Sequence, residues 1–217
     1  MIIGVDGNET NVTQRVGSNQ YAYEMLWAFS RLKNPHKWRI YLRDKPLPDL
    51  PKPKENWSYR IFGPKKLWTR WRLPLDLFFH RPRPDIFFTP GHYAPSLSPV
   101  PVVISIMDLG YLKFPEQFTK KDLYQLTNWT LFSIRKASHI LTISQSTKND
   151  IIKEYGIVED KITVTYPGYD RSKFKIQNSK FKIDEIKRKY KIPGDYILFL
   201  GTLKPSKNIE GLLEAFK

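Results

Sequence analysis

The chain has 217 residues, 41% hydrophobic and 26% charged, a folded-protein composition with room for one domain or two small ones. It has no cysteine, which excludes disulfides, thiolate nucleophiles and cysteine-bound zinc and fits a reducing compartment. Lys and Arg number 36 against 21 Asp and Glu, and the formal charge of +15 attracts polyanions: nucleic acid, anionic lipid headgroups or phosphorylated substrates.

The opening MIIGVD reads as a buried strand, too short for a signal peptide and closed by Asp6. The polar loop GNETNVTQRVG leads to a helix that Ser18 can cap, with Ala22, Met25, Leu26 and Phe29 along one face. WRIYLRD predicts a second strand, and the proline-rich KPLPDLPKPKENW a surface loop. From Trp57 to Pro84 the chain is basic and aromatic: Arg60, Lys65, Lys66, Arg70, Arg72, Arg81 and Arg83 alternate with Trp57, Tyr59, Phe62, Trp68, Trp71, Phe78 and Phe79. Such a segment suits a membrane interface, or a helix with its rings packed inward and its arginines extended to water. Stacking on single-stranded nucleic acid is a third use, but no nucleic-acid fold signature accompanies it and none is expected as a partner.

PDIFFTP and VPVVISIMD are apolar on both faces, as central strands of a parallel sheet are. A helix follows between Asp122 and Ala137, then the strand SHILTIS. Ser144 or Ser146 caps the helix STKNDIIKEYG, which Gly156 ends, and DKITVTYPG is a further strand. Strands and helices alternate throughout, which predicts a Rossmann-like, doubly wound parallel α/β domain over residues 1–170. Residues 171–194 read as a basic linker with a short helix near Ile183–Tyr190. Residues 195–217 restart the pattern: the apolar run Tyr196–Leu200, a turn at Gly201, and a helix bearing Ile209, Leu212, Leu213 and Phe216 on one face.

Ligands of such sheets bind beyond the carboxyl ends of the strands. Gly17 and Ser18 stand where a loop enters a helix, where free amides can hold a phosphate. Asp108 and Glu116 follow another strand and could share acid–base work, with Met107 beside them unable to move a proton. Lys207 is placed at the first turn of the last helix, where it opposes the macrodipole unless an anion intervenes. The four histidines have no metal-ligand spacing, and there is no DxD, no Walker pattern and no GxGxxG, so no metal is expected. Sequons at Asn8, Asn11 and Asn128 are read as chance.

Four segments in order resemble the group 1 (family 4) glycosyltransferases of the GT-B fold: IIGVDGNETNVTQRVGSNQYAYEML, PDIFFTPGHYAPSLSPVPVVISIMDLGYLKFPEQF, ASHILTISQSTKNDIIKEYGIVEDKITVTYPGYD and YILFLGTLKPSKNIEGLLEAF. The resemblance implies retaining transfer from a nucleotide-sugar to a glycan or lipid-linked acceptor, without a metal or other cofactor. It implies an acceptor-side domain followed by the start of a donor-side domain. It assigns Gly17, Gly201 and Lys207 to the donor diphosphate, Asp108 to catalysis, and Met107, Ser144 and Glu116 to the cleft lining. Two residues depart from the family pattern. Met107 replaces the histidine of a His-Asp-Leu loop, and Thr202 replaces an arginine that helps bind the diphosphate. The glutamate-rich donor motif would fall beyond Lys217, so the expectation is a truncated form, inactive alone and needing the missing half in cis or trans. The expected setting is cytoplasmic, peripheral on an anionic inner membrane face. The alternative is a non-catalytic module that holds a phosphorylated or lipid-linked glycan.

Overall fold

Strand β1 (Ile2–Asp6) is apolar on both faces, and it lies inside the sheet rather than at its rim. A computed structural model describes residues 1–169 and 180–217. They divide into two units, Met1–Pro167 and Gly168–Lys217.

In the first unit β1 leads to helix α1 (Ser18–Arg31), strands β2 (Lys37–Leu42) and β3 (Trp57–Ile61), and helix α2 (Leu73–Phe79). Strands β4 (Ile86–Thr89) and β5 (Val102–Ile106) follow, then the single turn α3 (Gly110–Lys113) and helix α4 (Lys120–Lys136). Strand β6 (His139–Thr142), helix α5 (Gln145–Tyr155) and strand β7 (Ile162–Val164) complete it. The seven strands pair in parallel in the order β3-β2-β1-β4-β5-β6-β7. This is the expected Rossmann-like sheet.

Strand period two sends neighbouring residues to opposite faces, and β4 displays this directly. Phe87 joins Leu73, Leu77, Ile104 and Ile134 in one core, while Phe88 joins Val5, Leu26, Trp38 and Trp57 in the other. Truncating a buried leucine such as Leu26 to alanine would cost about 2–5 kcal/mol.

Helix ends follow local chemistry. Thr119 caps α4 by accepting the Asp122 amide at 3.1 Å, so that helix starts two residues before the expected Asp122. Ser144, not Ser146, caps α5 by accepting the Thr147 amide at 3.1 Å. Gly156 closes α5 in the left-handed region, φ 64°. At α1 the expectation is corrected: Gly17 holds the cap position, Ser18 is already helical, and no side chain caps the helix.

The basic aromatic segment contains an edge strand, β3, a short alternation of Trp57, Tyr59 and Ile61 with Ser58 and Arg60 that the composition of the whole segment masks. Its inward rings are Trp57 and Trp68, 1% and 3% exposed. Between Trp68 and Arg72 the backbone forms a π-helical turn that runs into α2. Arg60 grips Asp76 of α2 at 2.7 Å, and Arg83 bonds the Phe78 carbonyl. Yet Trp71 and Phe79 remain 64% and 78% exposed. The segment thus packs through some rings and presents others to water.

The second unit contains helix α6 (Lys180–Lys189) and helix α7 (Ile209–Phe216). The start of the expected linker, residues 171–179, lies outside the described residues. The apolar run Tyr196–Leu200 forms no strand here, and Leu198 and Leu200 are 75% and 93% exposed. A strand exists only through hydrogen bonds to a neighbour, and no described strand pairs with this run. Lys207 also departs from expectation. It sits in a 3-10 turn, Pro205–Lys207, ahead of α7, and left-handed Asn208 separates it from the helix.

Candidate functional site

Sheet order locates the site. β2 and β3 extend from one side of β1, and β4 to β7 from the other. The connections leaving β1 and β4 therefore diverge, opening a crevice beyond their carboxyl ends.

The loop after β1 is fastened from several directions. Asn8 accepts the Arg43 amide at 2.9 Å, and Asn11 accepts the Leu47 amide at 2.9 Å while donating to the Lys45 carbonyl at 3.0 Å. The two sequon asparagines of this loop are therefore engaged within the fold. Arg15 donates to the Thr10 carbonyl at 2.8 Å, pairs with Asp49 and stacks on Tyr23 at 4.2 Å. The loop then enters α1 through Gly17 at φ 52°, ψ −115°, a conformation that residues with a Cβ rarely adopt. A side chain added there would meet nothing within 4 Å, so backbone conformation, not packing, calls for glycine.

Two carboxylates stand at the inner wall. Asp6 accepts the Asn8 amide at 3.0 Å and the Asn8 side-chain N–H at 2.7 Å. Burial nevertheless pushes its carboxyl up to about 6, against the pull of those hydrogen bonds. Glu9 is also raised by burial, with the Arg43 charge opposing. Its carboxylate accepts Asn19 Nδ2 at 2.7 Å, which ties the loop to α1. Glu9 presses on the loop after β4: a Cβ at Gly91 would lie 3.3 Å from Glu9 Cγ. The β1 and β4 loops thus meet at the switch point.

His92 comes next. Its Nε2 accepts the Met107 amide at 3.2 Å, which leaves the proton of the neutral ring on Nδ1. That Nδ1 is buried and has no partner among the described residues. Burial holds the imidazole below its usual range, while the Asp108 charge acts the other way. A neutral ring with a free N–H is a donor that an incoming oxygen would satisfy. On the far side, Thr147 donates to the Met107 carbonyl at 2.9 Å, and its hydroxyl also meets Ser144 Oγ at 3.0 Å.

The residues expected from sequence are therefore distributed unevenly. Met107 and Ser144 are joined through Thr147, and Asp108 adjoins both Met107 and His92. One Asp108 oxygen accepts the Gly110 amide at 2.8 Å, which shapes the turn into α3. Glu116 is exposed on a separate 3-10 turn, Pro115–Gln117, and makes no pair with Asp108. Gly17 lies at the start of α1, apart from these residues in the chain. Gly201 and Lys207 are exposed in the second unit. Asp6, Glu9 and His92 escaped the sequence reading. Asp6 ends a predicted strand, and Glu9 and His92 stand in the loops just beyond one, close to the signal that marked Asp108. Among the described residues no group of three His, Asp or Glu side chains could hold a metal ion, and no helix is long and apolar enough to cross a membrane.

The model of Glycosyltransferase Family 4 matches residues 16–173, most of the chain. The chain belongs to Glycosyltransferase Family 4. Among relatives of this family 4 chain, the O-antigen chain mannosyltransferase B of Escherichia coli is 26% identical over 161 residues, 74% of the chain and 39% of that protein. The O-antigen chain mannosyltransferase RfbU of Salmonella typhimurium is 29% identical over 111 residues, 51% of the chain and 27% of that protein. The chain thus spans well under half of either relative. The crystal structure of Anabaena HepE in complex with UDP matches with a TM-score of 0.62 at 16% identity, over 99% of this chain and 57% of that one. That likeness identifies the fold as the GT-B type.

Proposed function

We propose that this family 4 chain forms the acceptor side of a retaining glycosyltransferase that moves a sugar from a nucleotide-sugar to a glycan or lipid-linked acceptor. The observation that carries the reading is the crevice at the β1/β4 switch point, where Glu9, His92, Asp108 and the open start of α1 converge in a chain of this family. Residues 1–170 would hold the acceptor, 171–194 would link, and 195–217 would open the donor-side domain. The relatives are named as mannosyltransferases and HepE binds UDP, so mannose and UDP-linked sugars are the first donors to test.

In this reading Gly17 and the first amides of α1 face the donor phosphates, and Gly201 and Lys207 meet the diphosphate as its charge grows on departure. His92 Nδ1–H holds a sugar or acceptor oxygen, the work that Met107 cannot do. Asp108 keeps one oxygen free of the Gly110 turn for a proton, and Met107, Ser144 and Glu116 line the cleft. Turnover belongs to a protein that carries the whole donor half. The setting would be the cytoplasm, at the inner membrane face.

The test uses the gene product as its own cell makes it, weighed intact and incubated with GDP-mannose, UDP-hexoses and lipid-linked oligosaccharides. Transfer with the anomeric configuration retained, reduced about 10²-fold in D108N and H92F, supports the reading. Nucleotide-sugar binding without any transfer would instead favour a non-catalytic module for a phosphorylated or lipid-linked glycan. Met107, in place of the family's loop histidine, and Thr202, in place of its diphosphate-binding arginine, are what support that second reading.

A further inference from the structure

Next to the crevice, the first unit has a cleft of about 650 Å³ between the π-helical turn with α2 on one side and α4 on the other. That volume lies within the roughly 300–1,000 Å³ of small-molecule sites. Its walls are mostly apolar and aromatic, led by Trp71, Leu75, Phe78, Tyr93, Trp129 and Phe132. Trp71, Leu75 and Phe132 are 64%, 45% and 38% exposed. Single exposed apolar residues are ordinary, but rings and a leucine gathered in one concavity mark a binding surface.

One cation is held at this cleft. The Arg70 guanidinium stacks over the Trp129 ring at 4.7 Å and forms no ion pair among the described residues. By contrast Arg60 is committed to Asp76 and Lys65 to Asp44. Trp129 also receives the edge of Tyr93 at 5.6 Å, and Tyr93 in turn meets the His92 ring at 6.4 Å. The arginine therefore stands where the apolar cleft runs into the crevice.

We infer that this cleft takes the hydrocarbon tail of a phosphorylated lipid-linked acceptor, with its phosphate on Arg70 and its sugar end directed past Tyr93 to His92. The inference rests on the glycosyltransferase reading and narrows the acceptor from any glycan to a lipid-borne one. A concave apolar slot closed by a single free arginine fits one chain with one anionic head. A bilayer surface would ask for a protruding apolar ridge, and a free glycan would ask for more hydrogen-bonding groups than Thr69, Ser96, Asn128 and Ser133 supply.

Farnesyl phosphate, farnesol and inorganic phosphate are titrated into the 217-residue chain, with the fluorescence of Trp71 and Trp129 as readout. Saturable binding of farnesyl phosphate, weaker binding of farnesol and none of phosphate are expected. L75E and F132E change exposed positions, so folding persists by circular dichroism, and each should weaken farnesyl phosphate about tenfold or more. R70A should weaken farnesyl phosphate about tenfold and leave farnesol nearly unchanged. Three results would overturn the inference: affinities indifferent to L75E and F132E, capture by anionic vesicles without farnesyl phosphate binding, or a sedimenting dimer that L75E dissolves. Because the readout is binding, a failure of sugar transfer would leave this inference standing, and transfer without lipid binding would remove it alone.

Discussion

His92 and Thr147 hold the peptide groups of Met107 from both sides, His92 accepting its N–H at 3.2 Å and Thr147 donating to its carbonyl at 2.9 Å. The loop after β5 is thereby fixed to the loop after β4 and to the start of α5. Replacing Thr147 by valine keeps the shape and strands the carbonyl. We expect T147V to lose about 1–3 kcal/mol in urea denaturation. H92A should lose a similar amount, and H92Q, which keeps an acceptor, should recover part of it. If H92Q were no better than H92A, the imidazole–amide bond would not be what holds this loop.

The buried groups at the crevice give stability an unusual pH profile. Asp6 titrates near 6 in the folded chain against about 3.9 unfolded, so the folded state keeps its proton longer. Its contribution is complete below about pH 4 and is lost as pH rises to 6, on the order of 2–3 kcal/mol. His92 is lowered, so its contribution is present above about pH 6.5 and is lost as pH falls. D6N removes only the first effect. D6N should be more stable than the parent above about pH 6, with the gap closing toward pH 4. A gap that stayed constant with pH in urea titrations would show that Asp6 is not raised.

Gly17 occupies φ 52°, ψ −115° at the entrance to α1. With open space around it, G17A tests backbone strain alone. A loss of about 1–3 kcal/mol is expected, read as a lower thermal midpoint. An unchanged midpoint would mean that the loop relaxes into α1 without cost.

Arg60 is the partner of Asp76, whose side chain is 9% exposed. Removing the guanidinium leaves a nearly buried carboxylate unpaired. R60A should therefore cost about 3 kcal/mol by chemical denaturation, while the double variant R60A/D76N should recover much of it. Equal stability of the two variants would show that the pair is not coupled.

Most elements were legible as local pattern. Ile3 and Val5, Ile104 and Ile106, and the helical spacing of Ala22, Leu26 and Phe29 gave strands and helices their positions without reference to anything distant. β3 does alternate, with Trp57, Tyr59 and Ile61 apolar and Ser58 and Arg60 polar, but so short a run is masked by the basic aromatic stretch that continues from it. The run Tyr196–Leu200 misled in the opposite sense. Its residues have strand propensity, but propensity is not pairing, and no described strand offers it a ladder. At the crevice, Asp108 was visible because it ends an apolar run, whereas His92 looked idle among histidines without ligand spacing.

Periodicity and turn residues were enough to predict a parallel α/β sheet, because those signals are carried by residues a few positions apart, and four ordered segments carried the resemblance to the family that the matching family model shows. The place where chemistry gathers is not local. It depends on strand order, which put the loops of β1 and β4 side by side and brought Glu9 against Gly91. It also depends on side-chain reach across that edge, which set His92 on Met107 and Arg70 on Trp129. Such contacts join residues 15 to 82 positions apart, and their energy appears only once the sheet has closed the distance between them.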